Sequence, residues 1–147
     1  MPIFVCQDAD LYDGTAWHEY ADWIMKGLEE PRRDFSTALK LDPKLPRAYN
    51  NRASIYVDRG DFPAAKRDID KAIELDPNDP YSYNTRGNVY MHLEQWKLAI
   101  QDYTKALEIH PSLIMCYQSR AIAYEELGDK AKAAADRRKY AELGGTQ

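Results

Sequence analysis

Tyr49-Asn50-Asn51-Arg52-Ala53, Tyr83-Asn84-Thr85-Arg86-Gly87 and Tyr117-Gln118-Ser119-Arg120-Ala121 are three versions of one segment, set 34 residues apart. A second tyrosine follows each of the first three after seven residues, at Tyr56, Tyr90 and Tyr124, and the blocks beginning at Pro46, Pro80 and Ile114 align without a gap. A period of this length holds one helical hairpin. A single hairpin cannot bury its apolar stripe, so neighbours must stack and share a core.

The spacing within a block supports this. Tyr49, Ala53 and Tyr56, then Phe62, Ala65, Ile69, Ala72 and Ile73, recur at steps of three and four, the signature of one helix face, and Gly60-Asp61 separates the two helices. Small residues at Ala53 and Ala65, Gly87 and Ala99, and Ala121 and Ala133 let paired backbones approach, while the aromatics fill the wider ends of each hairpin. Asp76-Pro77 and His110-Pro111 stop the second helices, because proline disfavours helical geometry in the residue before it. The second block has Glu94 where a turn glycine is expected, which predicts a less comfortable turn.

These positions resemble the tetratricopeptide repeat. The pattern of that family is met by Tyr49, Ala53, Tyr56, Ala65, Ile69, Ala72 and Pro77, and again by Tyr83, Gly87, Tyr90, Ala99, Tyr103, Ala106 and Pro111. Tyr117, Ala121, Tyr124 and Ala133 continue it, but Arg137 and Tyr140 replace an apolar residue and an alanine, and no proline closes the block. The resemblance implies an all-α fold, a right-handed α-solenoid of antiparallel helix pairs, with full repeats at 46–79, 80–113 and 114–147.

Upstream, Phe35, Ala38, Leu39, Leu41 and Pro43 stand one period before Ile69, Ala72, Ile73, Leu75 and Pro77, and Trp17, Tyr20, Ala21, Ile24 and Leu28 form a helical stripe. The segment is two residues short near its turn, where Pro31 suits a first helical position. Residues 13–45 read as a degenerate capping repeat, preceded by an arm at 1–12. Arg137, Arg138 and Lys139 give the last helix a polar outer face before Gly144-Gly145 ends it, as a terminal repeat requires.

Composition sets the class. The 147 residues, 44% hydrophobic and 30% charged, suit one soluble domain burying about 70% of its unfolded-chain surface. Ile3-Phe4-Val5 is too short for a signal or membrane segment, so a cytoplasmic protein is expected. Cys6 and Cys116 have no paired spacing and read as free thiols. A net charge of −4 argues against nonspecific binding to nucleic acid or anionic membrane. Asp8, Asp10, Asp13, Glu19, Asp22, Glu29 and Glu30 face Lys26 alone within residues 1–30, either a solvated surface or an electrostatic docking surface.

No catalytic residues, metal ligands or cofactors are expected. His18, His92 and His110 fall in different blocks without partners at ligand spacing, and there is no phosphate loop or nucleophile motif. Function must come from surface shape. Carried over position by position, the resemblance implies a concave lining of Arg47, Asn50, Asn51, Ser54 and Asp58, then Tyr81, Asn84, Thr85, Asn88 and His92, then Met115, Gln118, Ser119, Ile122 and Glu126. Amides both donate and accept, so rows of them can satisfy an extended peptide backbone, or can simply keep the surface solvated. Relatives that clamp a C-terminal carboxylate need basic residues on flanking helices. With Asn51 as the central amide, Tyr81 and Thr85 on one side and Ala16, His18 and Tyr20 on the other do not supply them.

The resulting expectation is a noncatalytic adaptor that binds an extended segment of a protein or peptide partner. The alternatives are a self-assembling homo-oligomer or a small secretion-chaperone-like protein. Two further expectations follow. Arg52, Arg86 and Arg120 recur at one position and Asp34, Asp68, Asp102 and Asp136 at another, so they should pair, either within a repeat or, the favoured arrangement, between neighbours as Asp34 with Arg52, Asp68 with Arg86 and Asp102 with Arg120. Ile3-Phe4-Val5 should either pack on Trp17 and Trp23 or occupy a groove of its own chain or of a neighbour.

Overall fold

The computed structural model describes residues 33–145, all of whose regular elements are helical. Residues 33–41 form α1, followed by α2 (Pro46–Asp58), α3 (Phe62–Leu75), α4 (Pro80–His92), α5 (Trp96–Ile109), α6 (Ile114–Glu126) and α7 (Lys130–Glu142). Asp61 Oδ1 accepts from the Ala64 amide at 3.2 Å, Asp79 accepts from Tyr81 and Ser82, and Asp129 Oδ1 accepts from Lys132, so carboxylates cap the starts of α3, α4 and α7. Pro63 and Pro80 sit in the first turns of α3 and α4, where no amide donor is needed. Asp76 and His110, each before a proline, leave helical geometry and end α3 and α5 as expected.

Each first helix ends in one tight turn through a left-handed residue. Gly60 (φ 75°) and Gly128 (φ 79°) occupy it without strain, and Glu94 occupies it at φ 56°. The turn expected to be uncomfortable is therefore the same turn, imposed on a side chain.

The helices pair as α2 with α3, α4 with α5 and α6 with α7, and the pairs stack through α3 on α4 and α5 on α6. In addition α2 touches α4 and α4 touches α6, whereas no backbone approach joins α3 to α5 or α5 to α7. The first helices lie closer together than the second, so the stack curves with its first helices inside. The core runs through it as Ala53, Ile69 and Ala72, then Tyr83, Ala99, Tyr103, Ala106, Leu107, Leu113 and Cys116. Tyr103 is completely buried against Gly87, where an added Cβ would stand 2.6 Å from its ring. The neighbouring hairpin fills this place with Ala53 and Ile69.

At the start of the described chain Leu39 is buried and Leu41 is 84% exposed. The first helix expected over Trp17 to Leu28, the 1–12 arm and Cys6 lie outside the described residues. At the other end Arg137 is exposed and paired to Glu125 at 2.8 Å. The residue one period earlier, Tyr103, is fully buried.

Candidate peptide-binding face

The inner face is built from three helices that run in one direction, α2, α4 and α6. On α2, Arg47, Asn51, Ser54 and Asp58 fall at steps of four, three and four along one stripe and are all exposed. Tyr81 and His92 on α4, and Met115, Ile122 and Glu126 on α6, are exposed at the corresponding positions, and Gln118 is exposed at the position of Asn50. Tyr81 is 52%, Met115 54% and Ile122 41% exposed, which makes them the large apolar side chains of this face.

The middle of the expected lining is different. Asn84 and Thr85 are buried, and Asn50, Asn88 and Ser119 are half-buried. α4 has a first helix on either side and α5 behind it, and its inward residues are used in those contacts. Asn84 Oδ1 accepts from Cys116 Sγ at 3.3 Å, and Asn88 Oδ1 accepts from the Tyr103 hydroxyl at 2.7 Å. One period before Cys116 stands Ser82, whose hydroxyl donates to Asp79 Oδ2 at 2.6 Å, leaving Asn50 Oδ1 buried without a donor among the described residues. Of the amide rows, Asn51 and Gln118 therefore remain fully presented. Asn84 and Asn88 thus hold the scaffold rather than a free surface.

Behind the face runs a ladder of arginines whose partners differ from expectation. Arg52 donates through Nε and Nη2 to Asp68 at 2.5 and 2.8 Å, Arg86 to Asp102 at 2.7 and 2.8 Å, and Arg120 to Asp136 at 2.8 Å through both nitrogens. The pairs are within a repeat, not between neighbours, and Asp34 is exposed. Each Asp lies in its own hairpin opposite the Arg, where two parallel bonds can form. The third nitrogen, Nη1, does cross to the preceding repeat, two residues beyond the expected position, to Ser36, Asp70 and Thr104. Tyr49 and Tyr56, Tyr83 and Tyr90, and Tyr117 and Tyr124 flank the three guanidinium groups at 5.7 to 6.0 Å. Bonding to the aspartates raises the pKa of all three arginines above the ordinary value, and their charge is fixed.

Burial pushes the Cys116 thiol up to about 12, so it is a packing residue rather than a nucleophile at neutral pH. His92 stacks on Phe62 of the preceding hairpin, with ring centroids 5.0 Å apart and planes 19° apart. No group of three His, Cys, Asp or Glu residues is placed to hold a metal among the described residues. No described helix is long and apolar enough to cross a membrane. Sequence reasoning missed a shallow notch at the hairpin-turn edge, lined by Trp96, Leu98 and Leu127, which corresponds to the place where His92 covers Phe62 one repeat earlier. The Phe62, Trp96, Lys130 row was its visible signal.

An inner row of parallel helices with exposed side chains along it, carried by stacked hairpins, defines a helical-repeat scaffold for protein interaction. The chain carries tetratricopeptide repeats: the family model described as tetratricopeptide repeat matches residues 46–79 and 80–113. Among curated proteins no relative matches it. Its fold is similar to that of MamA, with 28% identity and a TM-score of 0.71 over 76% of this chain and 66% of that one. MamA 41-end from Desulfovibrio magneticus RS-1 is 22% identical with a TM-score of 0.73, covering 81% of this chain and 67% of that one. The first TPR of Spaghetti (RPAP3), solved with the HSP90 peptide SRMEEVD, is 22% identical with a TM-score of 0.66, covering 67% of this chain and 79% of that one. This chain thus spans about two thirds of the length of the MamA chains it matches.

Proposed function

We propose that the protein is a noncatalytic adaptor whose inner face holds an extended segment of a partner protein. The observation that carries this is the exposed stripe Arg47, Asn51, Ser54, Tyr81, Met115, Gln118 and Ile122 on three adjacent parallel helices. A tetratricopeptide repeat solved with a peptide, that of Spaghetti, supports the reading at the level of the fold. The interior residues are committed to the scaffold, so recognition falls to the ends of α4 and to the stripes of α2 and α6. A cytoplasmic location fits the sequence as given.

Self-assembly by continued stacking finds little support at the C-terminal end, where Arg137 and its bond to Glu125 replace the apolar residue that a further hairpin would cover. The test is affinity capture from the source cell with the unaltered chain and with an Asn51→Ala/Tyr81→Ala/Gln118→Ala variant. These exposed changes should cost less than about 0.5 kcal/mol each in stability. The variant should lose the partners that the unaltered chain retains. Equal capture by both would move the site off this face, and a dimer by light scattering would favour self-assembly.

A further inference from the structure

The inner face is electrically lopsided. Because α2, α4 and α6 run in one direction, their C-terminal ends, each with a partial negative charge, line one rim, and their N-terminal ends line the other. Proteins commonly place Lys or Arg at such ends. Here the last turns of α2 and α6 carry no basic residue, and that of α4 has only His92. Instead Asp58 and Glu126 are the final residues of α2 and α6, with Arg59 following Asp58 as the half-buried C-cap of α2. Both carboxylates are exposed and have no ion-pair partner among the described residues. Carboxylates at these positions oppose the helix dipoles and weaken the scaffold. At the other rim stand Arg47 and the exposed apolar Tyr81 and Met115, with Ile122 between the rims on α6.

Resting on the proposed function, we infer that the inner face selects a partner segment with basic side chains along one edge and apolar side chains along the other. In an extended chain alternate residues point to opposite sides. A run alternating basic and apolar residues therefore sets its cations against Asp58 and Glu126 and its apolar groups on Tyr81 and Met115. Helices about 10 Å apart and a rise of about 3.3 Å per residue make about nine residues enough to cross all three. An acidic segment meets the wrong sign at the carboxylate rim.

The experiment titrates the full chain with three labelled nine-residue peptides, read by fluorescence anisotropy: alternating Lys and Leu, alternating Glu and Leu, and alternating Lys and Ser. Lys-Leu should bind most tightly. Asp58→Lys/Glu126→Lys should weaken Lys-Leu about tenfold and strengthen Glu-Leu, and Tyr81→Ala/Met115→Ala should weaken Lys-Leu by a similar factor. Circular dichroism confirms that both variants keep their helices. If Glu-Leu binds the unaltered chain more tightly and Tyr81→Ala/Met115→Ala still weakens it, the charge preference is overturned while the inner-face reading stands. If Lys-Leu does not bind, or binds equally to both variants or no better than Lys-Ser, the inference is overturned. Indifference of every bound peptide to both variants overturns the inner-face reading as well.

Discussion

The hairpin α2–α3 and the hairpin α4–α5 occupy the same place in the repeat and solve its packing differently. The first sets Ala53 against Ile69 and turns through Gly60, while the second sets Gly87 against Tyr103 and turns through Glu94. Arg52 reaches back to a neutral hydroxyl, Ser36, and Arg86 to a carboxylate, Asp70. A shared period thus specifies where contacts occur, whereas residues at matching positions adjust to one another. The second hairpin holds the larger buried side chain and a strained turn, and it is joined to its predecessor by charge.

The largest effect expected from this comparison lies in the arginine ladder. Asp68→Ala leaves Arg52 with Ser36 and should cost about 3 kcal/mol, while Asp102→Ala leaves Arg86 with Asp70 and should cost about 2. Urea denaturation of both variants checks the order, and a double-mutant cycle on Arg52 and Asp68 should show clear coupling. Equal losses would mean that the bond to Asp70 carries no weight.

The glycine pocket comes next. Gly87→Ala presses a methyl group into the Tyr103 ring and should cost about 1 to 3 kcal/mol. Adding Tyr103→Ile, which recreates the Ala53–Ile69 pair, should recover part of the loss despite shrinking the core. A double variant less stable than either single one would show that the two positions are not matched.

A smaller gain is expected at the turn. Glu94→Gly relieves a left-handed side-chain residue and should add about 1 kcal/mol, while Gly60→Glu should remove a similar amount. Thermal melts would register both, and no change in either would mean that the turns are equally relaxed.

The smallest effect concerns the exposed cap. The Arg137 guanidinium holds the Glu125 carboxyl below its usual range. A carboxylate lowered in the folded state contributes stability that is present above its unfolded value, about 4.3, and is lost as pH falls through the folded one. The melting temperature of Glu125→Gln should therefore differ from that of the unaltered chain at neutral pH and converge with it in acid. A difference that persists in acid would assign the effect to something other than the ion pair.

Much of this fold was legible in the residues because the period repeats the same physics. Tyr49, Ala53 and Tyr56 report a helix face once, and their recurrence at 83 and 117 reports that the face is covered by a neighbour. Glu94 announced its strained turn by standing where its neighbours have glycine. The partners of Arg52 were not legible. Asp34 and Asp68 have the same spacing pattern, and only the hairpin geometry decides that Asp68 faces the guanidinium squarely. The inner face was legible as a set of positions but not in its burial. Asn84 and Asn51 both look like presented amides, yet Asn84 is enclosed by Cys116 and the adjacent helices. A polar side chain says that it needs a partner, not whether that partner is the chain itself.

The central claim, that the inner row of helices is the binding surface, is tested most directly by hydroxyl-radical footprinting of the chain with and without a captured partner. Tyr81, Met115 and Ile122 are exposed and oxidisable in the free protein, as are Leu98 and Leu127 at the turn edge. The account predicts that binding protects Tyr81, Met115 and Ile122 and leaves Leu98 and Leu127 unchanged. Protection confined to the turn edge or to the exposed residues of α3, α5 and α7, with Tyr81 and Met115 oxidised as before, would contradict it.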